Sequence, residues 1–213
     1  MDDVISWFAT NLETIFFVFF LLVAVLAVFF YFRRAQKMRK IFSNQVLKRN
    51  GLMRGGSSFS TLTFTYLECP VTVTAFLGKS SGGRTGGYSS PYTRVSATIN
   101  TGDVIRSQGQ QMTVYCETWA SEIAKKFGSQ DIQIGNQEFD QEYMIKGTDE
   151  IFIRQILTTT VQEKLLKLRT YHPMISLEMN ELVVKVPKIL KNEEAIDLLV
   201  DSALVLIDRL KAM

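Results

Sequence analysis

The sequence predicts an α+β protein with an N-terminal transmembrane helix, then a largely antiparallel sheet domain covered by two long C-terminal helices. Three observations lead there. Residues 15–32, IFFVFFLLVAVLAVFFYF, hold eighteen residues with no polar or charged side chain except the Tyr31 hydroxyl. From Phe59 onward the apolar period drops to two, among β-branched and aromatic residues, the pattern of half-buried strands. From Thr148 the chain returns to helical spacing in two blocks, separated by a short stretch that alternates again.

The N-terminal segment reads as an uncleaved anchor. Eighteen helical residues span about 27 Å at roughly 1.5 Å each, near the ~30 Å of a bilayer core. A buried core helix would show a polar stripe, and a cleaved signal would begin with basic residues and end in a small-residue site. Here residues 1–14 carry Asp2, Asp3 and Glu13 and no Lys or Arg, whereas residues 33–54 carry eight basic residues and no acid. The positive-inside rule then puts residues 1–14 outside as a short extracytoplasmic tail and the rest in the cytoplasm of a single-pass cell-membrane protein. Removing these groups from the totals of 24 basic and 21 acidic residues leaves 16 and 18 for residues 55–213. The domain from 57 to 213 is therefore close to neutral, and the basic character belongs to a neck and linker at 33–56. Cys69 and Cys116 lie in strand-like runs, and a reducing cytoplasm predicts two buried free thiols.

The neck is expected to continue the anchor helix, with Met38, Ile41, Phe42 and Val46 at helical spacing. Two destinations are open to it. Arg33, Arg34, Lys37, Arg39 and Lys40 fit contact with anionic lipid headgroups, and the apolar stripe fits a neighbouring subunit. The apolar anchor has no G-x-x-x-G seam, so any assembly is expected to come from the domain beyond Phe59. Gly51, Gly55 and Gly56 predict a flexible break.

FSTLTFTYL, VTVTAFL, YTRVSATI and MTVYCET are expected as four antiparallel strands, since no helical crossover separates them. A short helix over 119–127 follows, closed by Gly128. DIQI and FDQEYMIK read as strands around a Gly135-Asn136 turn. Thr148 reads as the N-cap of a helix reaching Leu168, ISLEM and LVVKV as a hairpin around Asn180-Glu181, and the chain after Asn192 as a closing helix. The apolar stripe of that helix is Ile196, Leu199, Val200, Ala203, Leu204, Ile207 and Leu210.

Gly78-Lys79-Ser80 matches the end of a phosphate-binding loop, G-x-x-x-x-G-K-[ST]. The match fails at its start, where Val73 stands in place of the first glycine, and no helix follows to receive an anion. No nucleotide, cofactor or metal is expected. The stretch 78–90 reads instead as a long strand connection whose Lys79, Arg84 and Tyr88 form a partner-contact loop. His172 is the only histidine and reads as a helix C-terminal residue; one His without a nearby Cys makes no zinc spacing. Glu138, Asp140 and Glu142 would share one strand face, read as solvated. Asp140 is expected to pair with Arg154. Thr158, Thr159 and Thr160 sit oddly inside a helix and read as packing against a sheet. Nucleic acid is not expected as a partner, because the domain is not basic and its strand aromatics lack the glycine-aromatic pattern of RNA-binding sheets.

The stretch DIQIGNQEFDQEYMIKGTDEIFIRQILTTTVQEKLL resembles a segment of uncharacterised prokaryotic membrane-anchored proteins with the pattern dIxiGdxxFDxxFxvkG. The matching residues are Asp131, Ile132, Ile134, Gly135, Phe139, Asp140, Ile145, Gly147, Asp149, Arg154, Leu157 and Thr158, with Tyr143 where the pattern has Phe. The YTRV at 92–95 is also similar. The resemblance implies a prokaryotic membrane setting and this architecture, without an activity. With no catalytic set in the sequence, the leading expectation is a membrane-tethered interaction or scaffold subunit, partnered by lipid and by another protein or further copies of itself. The alternative is an enzyme acting on a membrane-proximal substrate with residues gathered from separate strands.

Overall fold

The computed structural model describes the backbone of residues 2–55, 59–76, 90–99, 110–116 and 132–213, and the same side chains except 2–15, 31, 34, 35 and 59. It divides into two compact units, Met1–Lys40 and Ile41–Met213. The expected helix at 119–127 lies outside the described residues.

Helix α1 runs Asp2–Arg49. No Gly or Pro occurs before Gly51, so nothing in the sequence interrupts it. In the first unit the side chains of 16–30 are all exposed. The expected transmembrane helix is corrected here: among the described residues no helix is long and apolar enough to cross a membrane.

In the second unit α1 ends at Arg49, Asn50 takes the left-handed region (φ 51°), and Gly51 N–H donates to the Val46 carbonyl at 3.2 Å. The expected flexible break at Gly51 is instead packed. A Cβ there would sit 2.7 Å from Leu62 Cδ1 and 2.8 Å from the Thr63 carbonyl.

The chain then forms β1 (Leu52–Gly55), β2 (Phe59–Tyr66), β3 (Cys69–Phe76), β4 (Tyr92–Thr98), β5 (Met112–Tyr115), β6 (Met144–Gly147), β7 (Met174–Glu178) and β8 (Glu181–Val186). They make one eight-stranded sheet in the order β1-β2-β3-β4-β8-β7-β5-β6, with every pairing antiparallel. The alternation in the sequence sets its faces. Leu62, Phe64, Val71, Val73, Val95, Ala97, Ile175, Leu177, Val184 and Val186 are buried on one face. Thr72, Thr74, Ser96, Ser176 and Lys185 alternate with them on the other, half-buried.

The covering layer is α2 (Gln137–Glu142), α3 (Glu150–Ile156), α4 (Thr159–Leu168) and α5 (Glu193–Lys211), with a 3-10 turn at Arg169–Tyr171. The expected pair of long helices is corrected to one long helix, α5, and a broken one. Asp149, not Thr148, caps α3 by accepting from Phe152 N–H. Leu157 leaves helical geometry and Thr158 opens α4 with extended backbone. Three successive threonines favour such a restart over a continuous helix.

The stripe foreseen for α5 is buried except Leu204, which is half-buried. It packs on β4 and β8 and also against α4 and α3. Buried Thr93 ties the β8–α5 connection to β4, donating to the Lys188 carbonyl at 2.9 Å and accepting from Leu190 N–H at 3.0 Å.

Candidate interaction surfaces

The residues expected to meet lipid headgroups lie on α1 in the first unit. Arg33, Lys37, Arg39 and Lys40 are exposed, and the Arg33 guanidinium lies 5.3 Å from the Phe29 ring centroid. The side chain of Arg34 lies outside the described residues, as do the loop residues Lys79, Arg84 and Tyr88. The polar rows Thr72, Ser96 and Ser176 belong to the outer sheet face, where Arg94 and Lys185 stand as direct cross-strand neighbours. Arg94 reaches Glu181, and Lys185 lies 5.0 Å from the Tyr92 ring centroid, which itself stacks on Phe76 at 5.3 Å.

The last turns of α1 go elsewhere than either destination read from sequence. Ile41 and Phe42 are buried in the second unit's own core. Beside them Gln45, fully buried, donates to Asp197 Oδ1 at 3.0 Å, and Asn44 donates to Glu193 Oε2 at 3.2 Å. Lys48 Nζ meets Asp197 Oδ2 at 2.7 Å. Arg49 Nη2 meets Asp197 Oδ1 at 3.0 Å and Asp201 Oδ1 at 3.1 Å, and its guanidinium lies 5.7 Å from the Phe64 ring. Glu193, Asp197 and Asp201 are four residues apart, so α5 presents them as one acidic stripe. Burial pushes the Asp197 carboxyl up, but the hydrogen bonds from Lys48 and Gln45, the Lys48 charge and the Arg49 bond together hold it below its usual range. Lys48 and Arg49 thus serve the fold.

The segment around the Gly135 motif is a structural clip. Asp140 accepts from Ile134 N–H at 3.0 Å and Gly135 N–H at 2.9 Å, while Arg154 donates to the carbonyls of Ile134 at 3.1 Å and Gln133 at 2.6 Å. The expected Asp140–Arg154 pair is therefore replaced by two residues holding one tripeptide. The FDQEYMIK strand is corrected as well. Its first half is α2, capped by Asn136 through Phe139 N–H, and only Met144–Gly147 is strand. On a helix, Glu138 and Glu142 share a face and meet Arg169 at 2.8 and 3.9 Å, while Asp140 turns inward. Buried Gln162 completes the clip, accepting from Asn136 Nδ2 at 2.6 Å and donating to the Leu157 carbonyl at 2.6 Å.

Cys69 and Cys116 are free and buried, as expected. Burial, with the Glu142 charge, pushes the Cys116 thiol up to about 11, far from a reactive thiolate. Burial also raises the Tyr143 phenol, whose hydroxyl donates to the Leu165 carbonyl at 2.6 Å. His172 sits at the end of the 3-10 turn in the left-handed region (φ 51°). Among the described residues no group of three or more His, Cys, Asp or Glu could hold a metal ion.

Residues 95–199 match a family model described as a protein of unknown function, DUF3137. No curated protein matches the chain. Among solved structures, the fold is similar to the crystal structure of the mycobacterial trehalose monomycolate transport factor A, TtfA. That similarity has a TM-score of 0.50 at 9% sequence identity and covers 84% of this chain and 96% of the other.

Proposed function

We propose that this protein is a membrane-associated accessory subunit, an interaction or scaffold component whose sheet domain holds a partner near the bilayer. One observation carries the reading. The described part of α1 exposes apolar side chains from Phe16 through Phe30, and exposed Arg33, Lys37, Arg39 and Lys40 follow directly. A contiguous apolar surface of this kind is a site of contact with lipid or protein, and cations beside it match anionic headgroups. The same charge asymmetry supports the cytoplasmic leaflet, where anionic lipid is concentrated. A fold shared with a transport factor is in keeping with an accessory role.

Flotation of the full-length protein with neutral and anionic phosphatidylserine vesicles tests this. We expect binding to both and tighter binding to anionic vesicles. Each exposed cation is worth roughly 1 kcal/mol near such a surface. Changing Arg33, Lys37, Arg39 and Lys40 together to Glu should therefore remove the preference. A protein that floats with neither vesicle overturns the reading.

A further inference from the structure

Two hairpins end on either side of β4 at one end of the sheet, and both open their turn with a residue unsuited to it. In β2–β3 the last pair is Tyr66 with Cys69, leaving Leu67 and Glu68 at φ 45° and 64°. In β7–β8 the last pair is Glu178 with Glu181, leaving Met179 and Asn180 at φ 49° and 69°. Two-residue turns with both φ values positive favour Asn-Gly or Asp-Gly, because a side chain crowds the backbone in the left-handed region. A long apolar residue at the first position is the costlier choice, and it occurs twice.

Those two residues gain no burial in return. Leu67 is 51% exposed and Met179 81% exposed. Register places the turns together. Thr98 pairs with Glu181 and Val71 with Ala97, and Ile99 N–H donates to the Asn180 carbonyl, so both turns lie at the end where β4 finishes. They stand three strand spacings apart, roughly 14 Å at about 4.8 Å each. A strained backbone holding exposed apolar side chains points to function.

The chemistry around the tips says what would meet them. Glu68, Glu178 and Glu181 are the charged residues of the two turns and their flanks, with Arg94 reaching Glu181. Among the described residues of the two turns and their flanks this is three carboxylates against one guanidinium, a net acidic balance. It repels an anionic membrane and complements Lys and Arg.

We propose that this end of the sheet docks a basic, apolar-bearing segment of a partner protein, with Leu67 and Met179 as its two anchors and Glu68 as the acceptor for the partner's cations. The proposal deepens the accessory reading above by naming where the partner sits.

The test places a photo-crosslinking phenylalanine at 67 or at 179 of the full-length protein in its native host. We expect both positions to capture the same polypeptide through one peptide that carries Lys or Arg. Glu68→Lys should lower capture from 179 at least tenfold, whereas Glu163→Lys, at an exposed position of α4, should not. Leu67→Asn, which suits the left-handed turn, should raise the unfolding midpoint while lowering capture from 179 equally.

Capture of lipid alone, of another copy of this chain alone, of two unrelated polypeptides, or of nothing overturns the proposal. Capture indifferent to Glu68→Lys does the same, as does a lower unfolding midpoint in Leu67→Asn, which would make Leu67 a packing residue. Vesicle flotation is a separate readout, so loss of the docking surface and loss of the membrane reading are distinguishable.

Discussion

Asp140 and Arg154 hold the same tripeptide from complementary sides: the carboxylate takes its N–H groups and the guanidinium takes its carbonyls. A carboxylate has only acceptors and a guanidinium only donors, so neither could replace the other. The segment 133–135 is neither helix nor strand, and its peptide groups would otherwise lack partners. Gly135, at φ 87°, supplies the backbone conformation that lets two successive N–H groups face one carboxylate.

Asp140→Ala should therefore destabilise the domain by about 2–3 kcal/mol, the value of hydrogen bonds to a charged group. Arg154→Lys should lose most of what Arg154→Ala loses, because an ammonium cannot reach two carbonyls in the fork geometry of a guanidinium. Urea unfolding of the two single variants and the double variant checks this. Since both act on one tripeptide, the double variant should cost less than the sum by roughly 0.5 kcal/mol or more. Strict additivity would mean that the two residues do not act as a unit.

The clasp between α1 and α5 should be acid-sensitive. The folded Asp197 carboxyl lies below its ordinary value of 3.8, so its contribution is complete above that value and is lost as pH falls through the folded one. Asp197→Asn should be less stable than the parent at pH 7, and the difference should shrink below about pH 4. Arg49→Ala should cost about 1–3 kcal/mol, because it leaves the buried Gln45 Oε1 without the donor it has in Arg49 Nε. Thermal unfolding from pH 7 to pH 2 reads both. A difference independent of pH would remove the ion pairs from the account.

How much of this was legible in the sequence depends on how local each signal is. Strands β2, β3, β4, β7 and β8 and helix α5 were all readable, because each carries its own period. The β7–β8 turn was read one residue late, since Asn180 suits either turn position and Met179 gives no turn signal. Strand β1, LMRG, is too short to show alternation. Helix α2 was mistaken for strand because Phe139, Tyr143 and Ile145 mimic a period of two across a helix end. Lys48 and Arg49 read only as part of the basic neck because their acidic partners lie about 150 residues away, as Lys48 and Asp197 do at a separation of 149. The clip residues stood out as a pattern, but nothing in the sequence says that Asp140 turns toward its own backbone.

The Cys116 thiol should be silent until the domain opens. With its pKa pushed up to about 11, almost none is thiolate at pH 8, and the sulfur is buried. A chromogenic disulfide reagent at pH 8 should label no thiol in the native second unit and both Cys69 and Cys116 in denaturant. Because the folded state keeps this proton more tightly than the ordinary value of 9.0, the contribution is complete below pH 9 and declines as pH rises toward 11. The stability gap between the parent and Cys116→Ala should narrow over that window. Rapid labelling of the native protein would contradict the burial.

Gly147 is the sharpest test of packing at the end of β6. It pairs with Met112 across the sheet and precedes Thr148, whose N–H donates to the Gln111 carbonyl at 3.1 Å and whose hydroxyl accepts from Gln111 N–H at 3.1 Å. A Cβ on Gly147 would meet that same Gln111 carbonyl oxygen and lie 2.5 Å from Ile153 Cδ1. The Ile153 side chain is fully buried and the carbonyl is fixed by the Thr148 bond, so neither can yield without disturbing its neighbours. Gly147→Ala should thus destabilise by about 1–3 kcal/mol through overpacking alone. Combining it with Ile153→Val, which removes the Cδ1 atom, should recover only the part due to that contact. The carbonyl clash should remain, because the backbone of Gln111 has nowhere to move. Full recovery in the double variant, measured by urea unfolding, would locate the whole cost at Ile153 and leave the Gln111 carbonyl free to adjust.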